Sequence, residues 1–502
     1  MDTKGRRLDL RRKYSKRIKQ KTIKYNTYRK GEKMKNKKMI TTTLTTSALL
    51  LATYTSNAEE KKPNVIFILA DDLGYNGLHC YGNEWLETPN IDKLYSEGMH
   101  FTNGTAAYPT CQPSRMALLS GQYGPRTGGY RVSEKHKGFE NLIKYIVPEK
   151  TNLALDKITI AEAFKSAGYT TAMWGKWHVG NDSTSHPTKQ GFDEAISATG
   201  HYKLHHSTPS VTLPKGVCAE EYFTDLAIKF MDKAHKSKKP FFVFMPYYFV
   251  HKPLEAKQEY IDHFKKKLKG IDFKSKSKNS DETPVIAAMT KQLDACIGKL
   301  LNSVKEMGVQ DNTIILFTSD NGSYNYDFTG KTRGRKGDTY EGGMKVPYIF
   351  SWPGKIKPGS ESEEHITGVD VYPTLLSLAG VKRPENYILD GENIAPILLG
   401  KKRALPERNI YCFYPKYAQF NKKKKHWTFS WRNVMYEKNL KLIEYPEYDE
   451  YELFDLQNDP VEAKNLSDKN PELRKTLTEK LHKWLKDINA PKLTPNPNYS
   501  LK

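Results

Sequence analysis

Two adjacent pairs of oxygen-bearing side chains, Asp71-Asp72 and Asp320-Asn321, each close an apolar run. Such a set offers only oxygen ligands and suits Ca²⁺ or Mg²⁺, whereas zinc sites draw on His and Cys. A third apolar run, Phe241 to Met245, leads into a polar segment holding His251. A single pair of acids reads most simply as a cap or a turn. Chemistry-bearing groups after three separate runs point instead to one shared site around a divalent cation.

Those groups need elements that bring them together, and the chain supplies them. Val65 to Ala70 is continuously apolar, as are Phe241–Met245 and Thr313–Thr318, a pattern suited to strands buried on both faces. Thr170 to Trp174 reads as a further short strand. Helices are expected at Asn90 to Gly98, with an Asn cap and a Gly stop, at Thr159 to Ala167, and at Pro284 to Met307. Strands alternating with helices predict an α/β fold with a central, mostly parallel mixed sheet flanked by helices. Ligand groups in such sheets gather beyond the carboxyl ends of the strands. From about Leu399 the pattern changes, and Lys401-Lys402-Arg403 and Pro406 read as a linker. Strand-like pieces follow at Asn409–Tyr414, Trp427–Trp431 and Leu440–Glu444, then Leu453-Phe454-Asp455 and a helix from about Pro471 to Ile488. The expected organisation is a catalytic domain over 59–400 and a smaller α+β C-terminal domain with a short antiparallel sheet over 401–502.

The 502 residues carry 80 Lys+Arg against 57 Asp+Glu, a net charge of +23. With 38% apolar and 12% aromatic residues the chain can bury a core, which excludes wholesale disorder. Five Cys exclude a disulfide-built scaffold, and whether Cys80, Cys218, Cys296 and Cys412 pair is open from sequence alone. No run of apolar residues is long enough for a stably inserted membrane helix. Residues 1–38 hold 17 Lys+Arg and three acids, so residues 59–502 carry only +9. Nucleic-acid binding would need the charge spread over a folded domain, and is not expected. The run from Met34 has instead the layout of a secretory signal peptide. Lys35, Lys37 and Lys38 form its basic part, Met39–Tyr54 its apolar part, and Ser56-Asn57-Ala58 its small residues. A start at Met34, cleavage near Ala58 and a periplasmic or secreted protein are therefore expected.

One motif narrows the chemistry. Cys111-Gln112-Pro113-Ser114-Arg115 continues through Leu119-Ser120-Gly121, which resembles the type I sulfatase signature C-x-P-S-R-x-x-x-L-[ST]-G. The resemblance extends to Asn64–Gly74, Thr88–Asp92, Gly175–Gly180, Thr318–Gly322, Lys336–Gly343 and the tail Leu453–Leu466 (LFDLQNDPVEAKNL). It implies a formylglycine-dependent enzyme of the alkaline phosphatase superfamily. In that family a separate maturation enzyme oxidises the signature cysteine, here Cys111, to formylglycine (3-oxoalanine). One hydroxyl of its hydrate attacks the sulfate sulfur, and proton loss from the other then expels inorganic sulfate. The family pattern implies Asp71, Asp72, Asp320, Asn321 and the modified residue 111 as Ca²⁺ ligands. It implies Lys176 and Lys336 as sulfate-binding lysines and Arg115 as partner to the nucleophile and metal. It also implies His178 as the group that takes the proton from the diol, and His251 as a candidate general acid. These residue types suit the roles: fixed cations stabilise charge on a transferring group, and His transfers protons near neutral pH.

Substrate choice is less legible. Sulfatases of this secreted bacterial type mostly act on carbohydrates, and a net +9 suits a polyanion. Two segments are candidate sugar contacts: the loop holding His201, His205 and His206, and the stretch holding Trp427, Trp431 and Arg432. Two other classes stay open: a phosphatase or phosphodiesterase of the same superfamily, and a non-catalytic binder of sulfated glycans on this scaffold. Nothing in the sequence points to an oligomeric state.

Overall fold

In the computed structural model, β1 (Asn64–Ala70) is buried along its whole length. The structure describes residues 61–500 except 131, 133–139, 147–149, 181, 274–281, 424–425 and 493. The basic extension and the expected signal peptide, together 1–58, lie outside the described residues. Successive side chains of β1 enter two different cores: Val65, Phe67 and Leu69 one, Ile66 and Ile68 the other. Helices on both faces are the reason this strand is apolar without alternation.

The sheet around β1 has nine strands. The others are β2 (Met99–Phe101), β3 (Thr170–Gly175), β4 (Glu194–Thr199), β5 (His206–Thr208), β6 (Phe241–Pro246), β7 (Thr313–Ser319), β8 (Tyr348–Ser351) and β9 (Ser360–Ser362). Their order is β9-β2-β8-β7-β1-β6-β3-β4-β5. The inner five, from β7 to β4, run parallel. Antiparallel pairs occur towards the edges: β8 with β7, β2 with β8, and β5 with β4. Register matters for the site, because Ala70 stands opposite Ser319 and Leu69 opposite Pro246. Asp71, Asp320 and the segment after β6 therefore leave the sheet at one level.

The helices that position the site are α1 (Pro89–Glu97), α2 (Cys111–Ser120), α3 (Ile160–Ser166), α4 (Ala219–Lys236), α5 (Glu282–Glu306), the single turn α6 (Glu341–Met344) and α7 (Val371–Leu378). Helices α1, α4 and α5 cover the face of Ile66 and Ile68, and α2, α3 and α7 the opposite face. The expected Asn90 cap is corrected: Thr88 is the N-cap and Pro89 the first helical residue. Proline is pre-set for that place. Asn90 lies inside α1, where its amide donates to Asp294 Oδ2 at 2.8 Å.

A second, antiparallel sheet follows in the C-terminal part, of β10 (Asn409–Tyr414), β11 (Arg432–Glu437), β12 (Leu440–Tyr445) and β13 (Glu450–Asp455), in that order. Helix α8 (Pro471–Asp487) packs Leu477 and Leu481 on Met435, Leu442 and Leu453. The strand expected at Trp427–Trp431 is His426–Phe429, and it pairs with Ala418–Asn421 as a separate hairpin. All five cysteines are free thiols. Among the described residues, no helix is long and apolar enough to cross a membrane.

Candidate active site

Beyond the carboxyl ends of β1, β6 and β7, the backbone is tied across the strands. Asp71 N–H donates to Phe249 O at 2.8 Å, and Val250 N–H returns to Asp71 O at 2.7 Å. Asp320 N–H donates to Ala70 O, and Asp72 N–H to Asp320 Oδ1 at 3.2 Å. Asp72 has φ 61°, a left-handed conformation rare outside glycine. That turn keeps the two neighbouring carboxylates, Asp71 and Asp72, in one buried space.

Cys111 opens α2, all ten of whose residues are buried. Ser114 holds the approach to the helix: its Oγ donates to Tyr108 O at 2.8 Å and accepts Tyr108 N–H at 3.1 Å. Cys111 Sγ then lies 3.4 Å from Asp71 Oδ1 and 3.7 Å from Asp72 Oδ1. One turn on, Arg115 pairs with Asp320 Oδ2 at 2.8 Å and donates to Lys176 O at 2.6 Å. Lys176 follows β3 and reaches Asp71 Oδ2 at 2.5 Å. Gly175 before it has φ 130°, and a Cβ there would collide with the Pro246 carbonyl, so only glycine permits this crossing of β3 and β6. Lys336 approaches from the other side, with Nζ 2.7 Å from Asp72 Oδ1.

Burial alone would push Asp71 up, but Lys176, His251, Arg115 and Lys336 hold its carboxyl well below the usual range. Asp320 moves the other way, raised by burial and by the charge of Asp71. Burial and then Asp71 push the Cys111 thiol up, so it stays neutral and is a poor nucleophile as it stands. Burial followed by Lys176 and Arg115 holds His178 well below the ordinary histidine range, as a neutral imidazole. Its backbone is left-handed, φ 61°, and its buried Nδ1 has no hydrogen-bond partner among the described residues. Burial also lowers His251, while Asp71 and Asp72 oppose the shift. His251 Nδ1 lies 2.6 Å from Lys252 O, which fixes the proton there and turns Nε2 toward Asp72 Oδ2, 3.9 Å away.

The residues fit a hard divalent cation. Ligand atoms of Asp71, Asp72, Cys111 and His251 all lie within 4.8 Å of one another. Asn321 donates to Asp72 Oδ1 at 2.8 Å, and its buried Oδ1 has no hydrogen-bond partner among the described residues. A buried, unpartnered amide oxygen beside two carboxylates is a ready cation ligand.

One neighbour escaped the sequence reading. The ring of Tyr248 lies 4.7 Å from Lys176 Nζ and 4.9 Å from the ring of His251. Its backbone N–H is held by the buried Glu220 carboxylate at 2.5 Å. The only signal was its place between a buried strand and His251.

The proposed sugar contacts fare differently. His201 is fully buried, donates through Nε2 to Pro253 O at 2.6 Å and packs on Phe249, so it is a core residue behind the site. His205 and His206 are exposed. Trp427 and Trp431 are 3% and 2% exposed and belong to an aromatic cluster with Tyr130, Phe413 and Tyr417. Both indoles are buried in that cluster, although Trp427 also edges a crevice that it shares with Arg432. Arg432 is 4% exposed and pairs with Asp338 at 3.2 Å. It also borders a crevice of about 520 Å³ with Tyr340, Tyr445 and Arg474.

Comparison with known proteins gives a consistent result. The Sulfatase family model matches residues 63–381, and the model of the N-sulphoglucosamine sulphohydrolase C-terminal region matches 335–490. Human arylsulfatase A is 31% identical over 74% of this chain and 74% of its own length. A sulfatase of Formosa agariphila is 29% identical over 92% of this chain and 95% of its own. The crystal structure of Ps i-CgsB in complex with k-i-k-neocarrahexaose superposes with a TM-score of 0.70 at 27% identity, over 88% of this chain and 95% of that one.

Proposed function

The chain belongs to the sulfatase family and is a sulfuric ester hydrolase, and from that premise we propose that it cleaves sulfate esters on carbohydrates, with Ca²⁺ and a formylglycine formed from Cys111. The observation that carries this reading is that Asp71 and Asp72 both meet the Cys111 side chain at the start of α2, while Lys176 and Lys336 pair with those same two carboxylates. The Cys111 sulfur stands where the hydrated aldehyde of formylglycine would stand. A divalent cation there would make a hydroxyl at residue 111 more acidic and a better nucleophile than the neutral thiol, and would polarise sulfate oxygens. Asp71, Asp72, Asp320 and Asn321 would hold that ion.

The remaining steps fall to the chain's own residues. Lys176 and Lys336 bind and orient the sulfate by opposing its charge. Arg115 fixes Asp320 and the Lys176 backbone, so the anion meets a preorganised frame. Neutral His178 takes a proton beside residue 111. His251 gives one to the leaving oxygen from Nε2, and Asp71 and Asp72 partly offset the downward shift that burial, Lys176 and Lys336 impose on it. Tyr248 covers the Lys176 side of the site and excludes water there.

Carbohydrate as substrate is supported by the hexaose bound to the Ps i-CgsB relative. The phosphate alternative has less support. Two-zinc phosphatase sites need several His ligands, and the one ligand cluster among the described residues holds a single His. Secretion by a leader ending near Ala58, and maturation by a formylglycine-generating enzyme, complete the proposal. The test is the mass of the peptide holding residue 111 after co-expression with that enzyme, together with sulfate release by the converted protein.

A further inference from the structure

Glu462 belongs to the tail motif LFDLQNDPVEAKNL and is fully buried. Oε1 accepts from Lys441 Nζ at 2.7 Å, and Oε2 accepts the backbone N–H of Glu341 at 2.7 Å. Lys441, on β12 and equally buried, also donates to Glu341 Oε1 at 2.9 Å, and that oxygen takes the Tyr436 hydroxyl at 2.9 Å. Two carboxylates, one ammonium, one phenol and one amide N–H thus form a closed network under α6. Buried networks of this kind are weak evidence for stability, since apolar packing would serve as well. What they supply is a fixed place.

Helix α6 has close neighbours on two sides. Gly343 O accepts from Gly322 N–H at 2.9 Å, directly after Asp320 and Asn321. Gly342 N–H donates to Arg333 O at 2.7 Å, at the start of the loop that carries Lys336. A Cβ on Gly342 would collide with the Gly334 carbonyl, and one on Gly322 with the Gly342 carbonyl. Backbone therefore touches backbone, with no side chain between to absorb a shift. Lys336 N–H itself donates to Ser323 O at 2.8 Å, and Arg333 Nη1 donates to Glu462 O at 3.1 Å. Glu462 adopts φ 54°, a conformation that a non-glycine residue keeps only when its surroundings impose it.

We infer that Glu462 is a positioning residue for the reaction: with Lys441 it fixes α6, and through α6 it sets both the Asp320-Asn321 turn and the loop holding Lys336. This rests on the sulfate-binding role of Lys336 proposed above. It gives the tail motif a task in the active site, although no residue of the motif reaches that site.

The test compares wild type with Glu462→Gln and Lys441→Met, all converted at position 111. Hydrogen–deuterium exchange of the 333–344 segment is read alongside kcat and KM for an aryl sulfate. In Glu462→Gln the amide keeps the shape and one acceptor, but it loses the charge and turns an NH₂ donor toward either Lys441 Nζ or the Glu341 N–H. Exchange in that segment is expected to quicken by about tenfold, as for losing one buried hydrogen bond, with the α2 peptide unchanged. The kcat is expected to fall ~10–100-fold, the range for groups that orient a first layer of ligands, and the two substitutions are expected to be non-additive. Unchanged exchange and kcat in both variants would overturn the inference. So would a loss of global stability with normal kcat in the folded fraction. Exchange decides the positioning even if wild type releases no sulfate, an outcome that would count against the sulfate reading alone.

Discussion

Lys336 Nζ lies 2.7 Å from Asp72 Oδ1, although 264 residues separate them in sequence. Burial would lower this ammonium, but Asp72, Cys111 and Asp71 together outweigh it and hold the lysine well above its usual range. It is therefore a permanent cation. Lys336→Met is expected to lower kcat by ~10²–10³-fold, as for loss of one preorganised donor to developing charge. Steady-state kinetics on a small aryl sulfate checks this. A change in KM alone would place Lys336 in uniform binding instead.

Removal of the cation is expected to cost both activity and stability. A ligand held at 1,000 times its dissociation constant stabilises by roughly 4 kcal/mol. The melting temperature is expected to rise on adding Ca²⁺ to chelator-treated protein, and Asp72→Asn is expected to abolish most of that rise. A melting temperature indifferent to Ca²⁺ in both proteins contradicts the assigned ligand set.

His201 makes the fold sensitive to acid. Burial pushes it down to about 4 from an ordinary 6.5. The folded chain thus holds His201 neutral where the unfolded chain is already protonated. Its contribution to stability is complete above pH 6.5 and is lost as pH falls through about 4. One such proton accounts for at most ~1.4 kcal/mol per pH unit. Urea unfolding across that window is expected to show a shallower decline for His201→Gln, whose amide retains a donor for Pro253 O. An unchanged slope would remove His201 as a cause.

Trp431 belongs to the core, so its substitution reads as stability. Trp431→Ala is expected to destabilise by ~3–5 kcal/mol, the cost of truncating a large buried aromatic, with KM for a soluble oligosaccharide unchanged in the folded fraction. Denaturant titration beside Michaelis kinetics separates the two effects. A raised KM at unaltered stability would return Trp431 to the sugar-binding surface.

Much of this was legible because the chemistry sits where parallel strands end. Asp71-Asp72, His251 and Asp320-Asn321 follow buried apolar runs, and the register of β7, β1 and β6 aligns their ends. The rest was hidden for physical reasons. Strand β11 (RNVMYE) mixes Arg432, Asn433 and Glu437 with apolar residues, and the heads of Arg432 and Asn433 are paired inside the protein. Trp427 and Trp431 looked like stacking platforms because an indole serves a sugar or a core equally well, and only tertiary burial decides. Glu462 acts through Lys441 and Glu341, partners from two other parts of the chain, which no local pattern announces.

The central claim is sulfate release driven by a converted residue 111. The direct measurement is inorganic sulfate liberated from a panel of sulfated mono- and oligosaccharides, by protein whose conversion is verified by mass, with Cys111→Ala as control. The account predicts release from at least one sulfated sugar and none from the control. Release by Cys111→Ala at a rate near that of the converted protein would contradict it.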